Sequence, residues 1–171
     1  MQLVGLKAVY VGEPLAKGVK DTSATNAIKA FTRITQPYKG GISFNFSNPS
    51  STKFYREGES NPFEAVFDPT SGEKTVSWNV ADFSDEDMQF YFGTTEPAQG
   101  KMYEGKKAFV FVAQSGSIAF ANLKFAATLT GNLNTTDPLQ IAVTAEVLAP
   151  TDGGVAWWPM PTPEFTNAAS E

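Results

Sequence analysis

Two stretches have spacings that invite a chemical reading. Gly100-Lys101-Met102-Tyr103-Glu104-Gly105-Lys106-Lys107 has the glycine and lysine spacing of a phosphate-binding loop. Lys107 stands where a magnesium-binding Ser or Thr is required, and the residues after it predict a strand. No helix N-terminus would then face the phosphates. The plainer reading is a turn with solvated lysines that leads into Phe109-Val110-Phe111-Val112. That strand also lacks the glycine and first aromatic of an RNA-recognition core motif. The second stretch is the acidic group Asp82, Asp85, Glu86 and Asp87. It fails the EF-hand pattern, with Asp87 at the loop-glycine position and Gly93 at the position of the bidentate Glu. Carboxylates gathered at the positive end of a helix dipole are a simpler cause. No metal or cofactor is expected.

The missing residue types narrow the chemistry further. Histidine is absent, which removes the commonest general base and the commonest metal ligand. A Ser-His-Asp triad is therefore impossible. Cysteine is absent, so disulfides, thiolate zinc sites and cysteine nucleophiles are excluded. Carboxylate pairs for glycoside hydrolysis depend on separation in space, and nothing in the sequence singles out a pair. The expectation is a protein without enzymatic activity. Trp157-Trp158 leaves three options open: a pin holding the chain to its own domain, a subunit contact, or stacking on a sugar.

The surrounding pattern is period-two alternation, which predicts strands. A first strand is expected over Leu3 to Val11. Glu13 to Ala27 is rich in Gly, Pro, Ser, Thr and Asn and is expected to be a flexible connection. Ile28, Ala30, Thr32 and Ile34 alternate with Lys29, Phe31, Arg33 and Thr35 as a second strand. Ile42, Phe44 and Phe46 alternate with Ser43, Asn45 and Ser47 as a third. Residues 48–62 form a long polar stretch, either a surface loop or a long hairpin that reaches a neighbour. Lys53 to Arg56 offers a short strand within it.

Phe63 to Asp68 and Thr75 to Val80 are expected to pair through a turn at Pro69 to Lys74. Trp78 is expected in the core. One helix of about 8 residues is predicted, capped by Ser84 with Asp87 completing a capping box. Phe83 and Met88 would staple its start, and Gly93 would end it in the left-handed conformation. Lys107 to Ala113 is nearly all apolar, so both its faces should be covered. Ala121 to Thr130 and Leu139 to Leu148 each carry one apolar face and one small, mostly polar face, with a turn at Gly131 to Asp137. Prolines 150, 159, 161 and 163 argue against a regular strand after residue 149. A C-terminal arm that docks or hangs free is expected instead.

At 171 residues the chain suits one domain, with about 68–70% of its unfolded surface buried on folding. The net charge of −5 makes it a poor nucleic-acid binder. No apolar run approaches the roughly 20 residues that span a membrane, and Met1 to Lys7 predicts no signal peptide. The sequons at Asn45 and Asn134 then have no meaning as glycosylation sites.

One succession of features is familiar. Gly40-Gly41-Ile42-Ser43-Phe44-Asn45-Phe46 precedes the polar Tyr55-Arg56-Glu57-Gly58-Glu59-Ser60-Asn61-Pro62. Then come Thr75-Val76-Ser77-Trp78, a short acidic-capped helix and Gly93. Ile118-Ala119-Phe120-Ala121-Asn122-Leu123-Lys124, Gly131-Asn132-Leu133 and Leu148-Ala149-Pro150 follow. Over roughly residues 40–150 this order resembles the major tail tube proteins of tailed bacteriophages. Tube proteins of contractile injection systems share that architecture. The resemblance implies a mainly β fold, an antiparallel β-sandwich or barrel of two packed sheets with one short flanking helix. It implies a β domain over 1–149 and a Pro-rich arm over 150–171. It also implies hexameric rings that stack into a tube, other tail proteins as partners, and DNA passing through without specific binding. The place of action would be the virion tail, after synthesis in the host cytoplasm. Asn122, Thr128, Thr130, Gln140, Thr144 and Glu146 would face the lumen. Phe54, Tyr55, Arg56, Glu57, Trp157 and Trp158 would contact other subunits. A carbohydrate-binding β-sandwich using Trp157 and Trp158 is the alternative, and a carboxylate enzyme on the same scaffold is a third reading.

Overall fold

The computed structural model describes residues 3–38, 41–68, 72–98, 101–131 and 138–166. The fold is mainly β and antiparallel; of the described residues 44% are strand and 10% helix. In chain order the elements are β1 (Leu6–Gly12), α1 (Thr22–Ile28), β2 (Thr32–Ile34), β3 (Ser43–Phe46), β4 (Ser51–Phe54), β5 (Glu64–Phe67), β6 (Lys74–Val80), α2 (Asp85–Phe92), β7 (Tyr103–Ala113), β8 (Gly116–Thr130), β9 (Gln140–Val147) and β10 (Trp157–Met160). Seven strands follow one another as β2-β1-β7-β8-β9-β6-β3, with β10 added beside β8. The sheet is open, not a closed barrel.

The β7–β8 hairpin is the spine. Lys107 pairs with Leu123 and Phe109 with Phe120, so Ala121 and Asn122 together stand opposite the single Ala108. An extra residue of this kind bends a strand and sharpens its twist. On one side of the bend the spine carries β1, β2 and β10; on the other it carries β9, β6 and β3. The bend folds the two wings face to face. Phe44 of β3 lies 6.0 Å from both Phe111 and Phe120 of the opposite wing. The main core between the wings holds Val9, Val76, Trp78, Phe109, Phe120, Leu123, Phe125 and Ile141, all buried. Burying a side chain of this size contributes about 1.5–3 kcal/mol.

α2 closes one end of the sandwich with Phe90, Tyr91 and Phe92. Phe90 and Tyr91 lie 5.7 and 6.0 Å from Phe125. Its start is as expected: Ser84 Oγ accepts from Asp87 N, the Asp87 carboxylate accepts from Ser84 N, and Gly93 ends the helix at φ 68°. Phe83 and Met88 both pack on the main core. The uniformly apolar part of β7 is buried on both faces, as expected, because a second core lies behind it. That core joins Tyr10, Val110, Val112, Ala119 and Ala121 to Leu15, Val19, Ala24, Ile28 and Phe31.

Several expectations need correction. There are two helices among the described residues, not one. Residues 13–27 are not a plain connection: Leu15 and Val19 are buried, and α1 occupies the end of the segment. The Asp21 side chain caps α1 by accepting from Ser23 N, and Ala24 and Ile28 anchor the helix to the second core. The second strand is consequently shorter than expected, since Ile28 is helical and β2 starts at Thr32. β5 pairs with β4, not with β6, so Phe63 to Asp68 and Thr75 to Val80 are not a hairpin. The polar stretch over residues 48–62 contains β4 and the true turn. The proline-rich arm contains a strand after all: β10 pairs with β8 although Pro159 lies within it. One side of β10 carries no ladder among the described residues, and an edge strand tolerates a missing N–H. Beyond it, Phe165 stacks on Tyr10 at 3.7 Å, and Thr166 N donates to Lys29 O. The arm is therefore docked up to that point. The expected turn at Gly131 to Asp137, the sequon at Asn134, and Gly40, Pro69 to Ser71 and Gly100 lie wholly or largely outside the described residues.

Candidate functional site

The wet side of the β8–β9 wing has a regular build. Leu123, Phe125 and Ala127 of β8 and Ile141, Val143 and Ala145 of β9 turn into the core. Alternation sends their neighbours outward. Register then pairs Thr130 with Gln140, Thr128 with Ala142, Ala126 with Thr144, and Lys124 with Glu146. Five predicted lumen residues, Thr128, Thr130, Gln140, Thr144 and Glu146, thus share one face. Asn122 differs. It sits in the bend, half-buried, and its Oδ1 is enclosed without a hydrogen-bond partner.

The same face extends over two more strands. Ser77 pairs with Thr144 and Thr75 with Glu146; Ser43 pairs with Ser77 and Asn45 with Thr75. Asn79 completes the row opposite Ala142. Ser43, Asn45, Thr75, Ser77 and Asn79 were legible in the sequence as the polar partners of Phe44, Phe46, Val76, Trp78 and Val80. What the sequence could not supply was that β3, β6 and β9 are neighbours. On the other flank β7 adds Glu104 and Lys106, opposite Ala126 and Lys124. The charges of the face are Glu104, Glu146, Lys106 and Lys124, two of each sign. Lys124 Nζ lies 3.6 Å from Glu104 Oε2. An exposed pair of this kind contributes about 0–1 kcal/mol, so its main effect is to neutralise the surface.

The predicted subunit-contact residues fall in two places. Phe54 ends β4, and Tyr55, Arg56 and Glu57 lead into a turn closed by Glu59 N donating to Arg56 O. Gly58 sits in that turn at φ 79°, a conformation suited to glycine. The whole β4–β5 ribbon is a continuation of the β3–β6 hairpin, joined through Ser47 N donating to Glu73 O and Asp68 N donating to Ser50 O. Except for half-exposed Ala65, every residue of its two strands is exposed. Phe63, Val66 and Phe67 are 56%, 55% and 64% exposed. The Arg56 guanidinium lies 5.3 Å from the Phe63 ring.

Trp157 and Trp158 part company, as neighbours in a strand must. Trp157 packs 4.7 Å from Phe46 and 6.5 Å from Phe120, which pins β10 to its own sandwich. Trp158 is exposed, with Lys20 Nζ 3.4 Å above its ring. The two indoles do not form one platform.

The stretches with chemical spacing have structural roles here. Gly105 lies in β7 beside the Phe125 ring, which a Cβ would approach to 2.7 Å. Close packing requires the glycine, and Tyr103 to Lys107 are paired strand, not a phosphate loop. The Asp87 carboxylate accepts from Thr35 Oγ1 at 2.7 Å as well as from Ser84 N at 2.9 Å. Asp85 and Glu86 are exposed on the first turn of α2. Among the described residues no group of three or more His, Cys, Asp or Glu is placed to hold a metal ion. Burial pushes the Tyr91 hydroxyl above the usual phenol range, against the opposing effect of Trp78 Nε1, which donates to it at 3.1 Å. That pair is a core hydrogen bond. Ser23 bonding holds the Asp21 carboxyl below the usual range, in keeping with its capping role. Among the described residues no helix is long and apolar enough to cross a membrane. No protein-family model matches the chain, and no curated protein matches it.

Proposed function

We propose that the protein is a non-enzymatic structural subunit of a bacteriophage tail tube, working as stacked rings of identical copies, six to a ring. DNA passes through the lumen on its way from virion to host cell, and other tail proteins join the ends. The observation that carries this reading is the wet face. Five neighbouring strands present Ser, Thr, Asn and Gln with charges that cancel, on a chain whose net charge is −5. DNA affinity comes from clustered Lys and Arg that displace counterions, and this face has no such cluster. A bore lined this way lets the polyanion slide. Two further features support self-association. Among the described residues β2 and β3 are the ends of the sheet path, each paired on one side only, and an unpaired strand edge is a template for pairing with another chain. The ribbon carries apolar rings that its own domain leaves exposed.

The carbohydrate-binding alternative needs an aromatic platform. Trp157 faces the core, and Trp158 has an ammonium over its ring, so the geometry favours the tube. Sedimentation of concentrated protein followed by negative-stain imaging tests the reading. Rings or tubes with a central channel are expected. A monomer at every concentration, combined with retention on a glycan array, would replace it with the carbohydrate-binding alternative.

A further inference from the structure

The turn at the root of the C-terminal arm carries a residue pair with chemistry of its own. Asp152-Gly153 is the one place in the chain where an aspartate or asparagine is followed by glycine. A backbone nitrogen can attack the carboxyl carbon of the aspartate before it and close a five-membered ring. A side chain on the attacking residue hinders that approach, and a proline nitrogen has no hydrogen to lose. Asp82, Asp85 and Asp87 precede Phe83, Glu86 and Met88, and Asp68 and Asp137 precede prolines. Thr151, Asp152, Gly153 and Gly154 are all exposed. A Cβ built on Gly153 would meet nothing within 4 Å, so the ring has room to form.

We infer that Asp152 is a site of spontaneous isomerisation to isoaspartate, and that the change loosens the root of the arm. Gly153 N bonds to Asp152 Cγ, and the carboxyl hydroxyl leaves with the amide proton as water. A succinimide results. Water then opens the ring, and attack at the former main-chain carbonyl of residue 152 leaves isoaspartate. The chain now runs through Cβ and Cγ, and the former carbonyl is a free carboxylate. One water has left and one has returned, so the mass is unchanged and no oxidant or cofactor takes part. Among the described residues the Asp152 carboxylate has no hydrogen-bond or ion-pair partner. By contrast, the Asp21 carboxylate accepts from Ser23 N and Ser23 Oγ, and that of Asp87 from Ser84 N and Thr35 Oγ1. The bond that must open is Gly153 N to Pro150 O, 3.1 Å long and at the surface.

The position gives the change its effect. On one side of the pair, Asp152 N donates to Ala16 O. On the other, Val155 O accepts from Val19 N, and Ala156 O accepts from Ala121 N. Only Gly153 and Gly154 lie between these ties. Gly154 also lies close against the chain at Gly18, where a Cβ built on it would come within 3.0 Å of Gly18 N. Isoaspartate puts one more carbon into the main chain at this point. A tie on one side or the other must shift to take it up, and the arm leading to β10 begins there. This chemistry belongs to the chain itself and does not rest on the tube reading.

The full chain is aged at physiological temperature and neutral pH and then cut with chymotrypsin. The peptide from Ala149 to Trp157 should gain a second chromatographic species of unchanged mass. That species should accept a methyl group from S-adenosylmethionine in the presence of isoaspartyl methyltransferase. Asp152→Glu keeps the carboxylate but would need a six-membered ring, so its peptide should stay single. Asp152→Asn reaches the same succinimide by releasing ammonia, and its peptide should take on the mass of the acid. Hydrogen exchange should quicken in the aged protein at the Val19 and Ala121 amides. If neither the wild type nor Asp152→Asn changes while folded, although the free peptide does, the turn blocks the ring and the inference is overturned. If isoaspartate forms but exchange at Val19 and Ala121 is unaltered, the claim that it loosens the arm's root is overturned.

Discussion

Two residue-scale features hold the closed end of the sandwich and make opposite demands on the solvent. Asp87 is buried and accepts from Ser84 N, Ser84 Oγ and Thr35 Oγ1. Its removal leaves those donors to find water at the start of α2. Asp87→Ala should therefore destabilise the monomer by about 1.5–3 kcal/mol, the range for hydrogen bonds to a charged group. Ser84→Ala should cost about 1 kcal/mol as an ordinary cap loss. Chemical denaturation of both variants checks the order. Tyr91 is the second feature, only 2% exposed, with its hydroxyl held by Trp78 Nε1. Its folded-state pKa is raised, so the unfolded chain gives up the proton first. The protonated hydroxyl's contribution is complete below pH ~10 and declines by about 1.4 kcal/mol per pH unit as pH rises from there toward the native value. Tyr91→Phe should flatten that alkaline loss, at a cost near neutrality of about 1–3 kcal/mol for the stranded Trp78 donor. Stability curves at pH 8 to 11 measure both effects.

At the scale of elements, the ribbon is the part of the hairpin that the body does not hold. Replacing residues 51–67 by a short glycine turn should change the monomer's unfolding free energy by less than ~1 kcal/mol, as surface changes do. The same excision should abolish assembly. A large loss of monomer stability would show that the ribbon belongs to the core after all. This element also marks the limit of sequence reading. The strands β6, β8 and β9 were plain from alternation, because Val76, Trp78 and Val80, or Ile141, Val143 and Ala145, leave no other period. Their partners were not plain. The turn chemistry of Pro69 to Lys74 was the stronger local signal, yet the chain turns at Arg56 to Glu59, and β6 pairs with β3. Local turn propensity says where a chain can reverse, not which ladder it will join. α1 was hidden for a related reason. Thr22-Ser23-Ala24-Thr25-Asn26-Ala27-Ile28 holds several weak helix formers, and burial of Ala24 and Ile28 overrides that propensity. Asp21, Thr22 and Ser23 are all N-cap residue types, and the structure uses Asp21. β10 was obscured by its prolines, which an edge strand accommodates.

For the whole molecule, the bend at Ala121 and Asn122 decides the architecture. It turns one sheet into two facing wings, gives the edge of β8 away from β7 two successive partners, β10 and β9, and leaves a broad polar face on the β9–β6–β3 side. That face was partly legible: five of the six predicted lumen residues share it, while Asn122 is drawn into the bend. Its neutrality gives a prediction at this scale. Thr144→Lys with Gln140→Lys should leave assembly intact but make the tubes retain DNA. Each lysine that engages a phosphate should steepen the fall of log affinity with log salt by about 0.9. Filter retention of DNA across a salt series checks it, and equal release from both tube types would contradict the neutral-bore account. The most direct measurement is a cryo-electron microscopy reconstruction of the assembled protein. The account predicts rings whose channel is lined by the Ser77, Thr144 and Gln140 side of the sheet. A reconstruction with that side turned outward, or a particle with no channel, would contradict it.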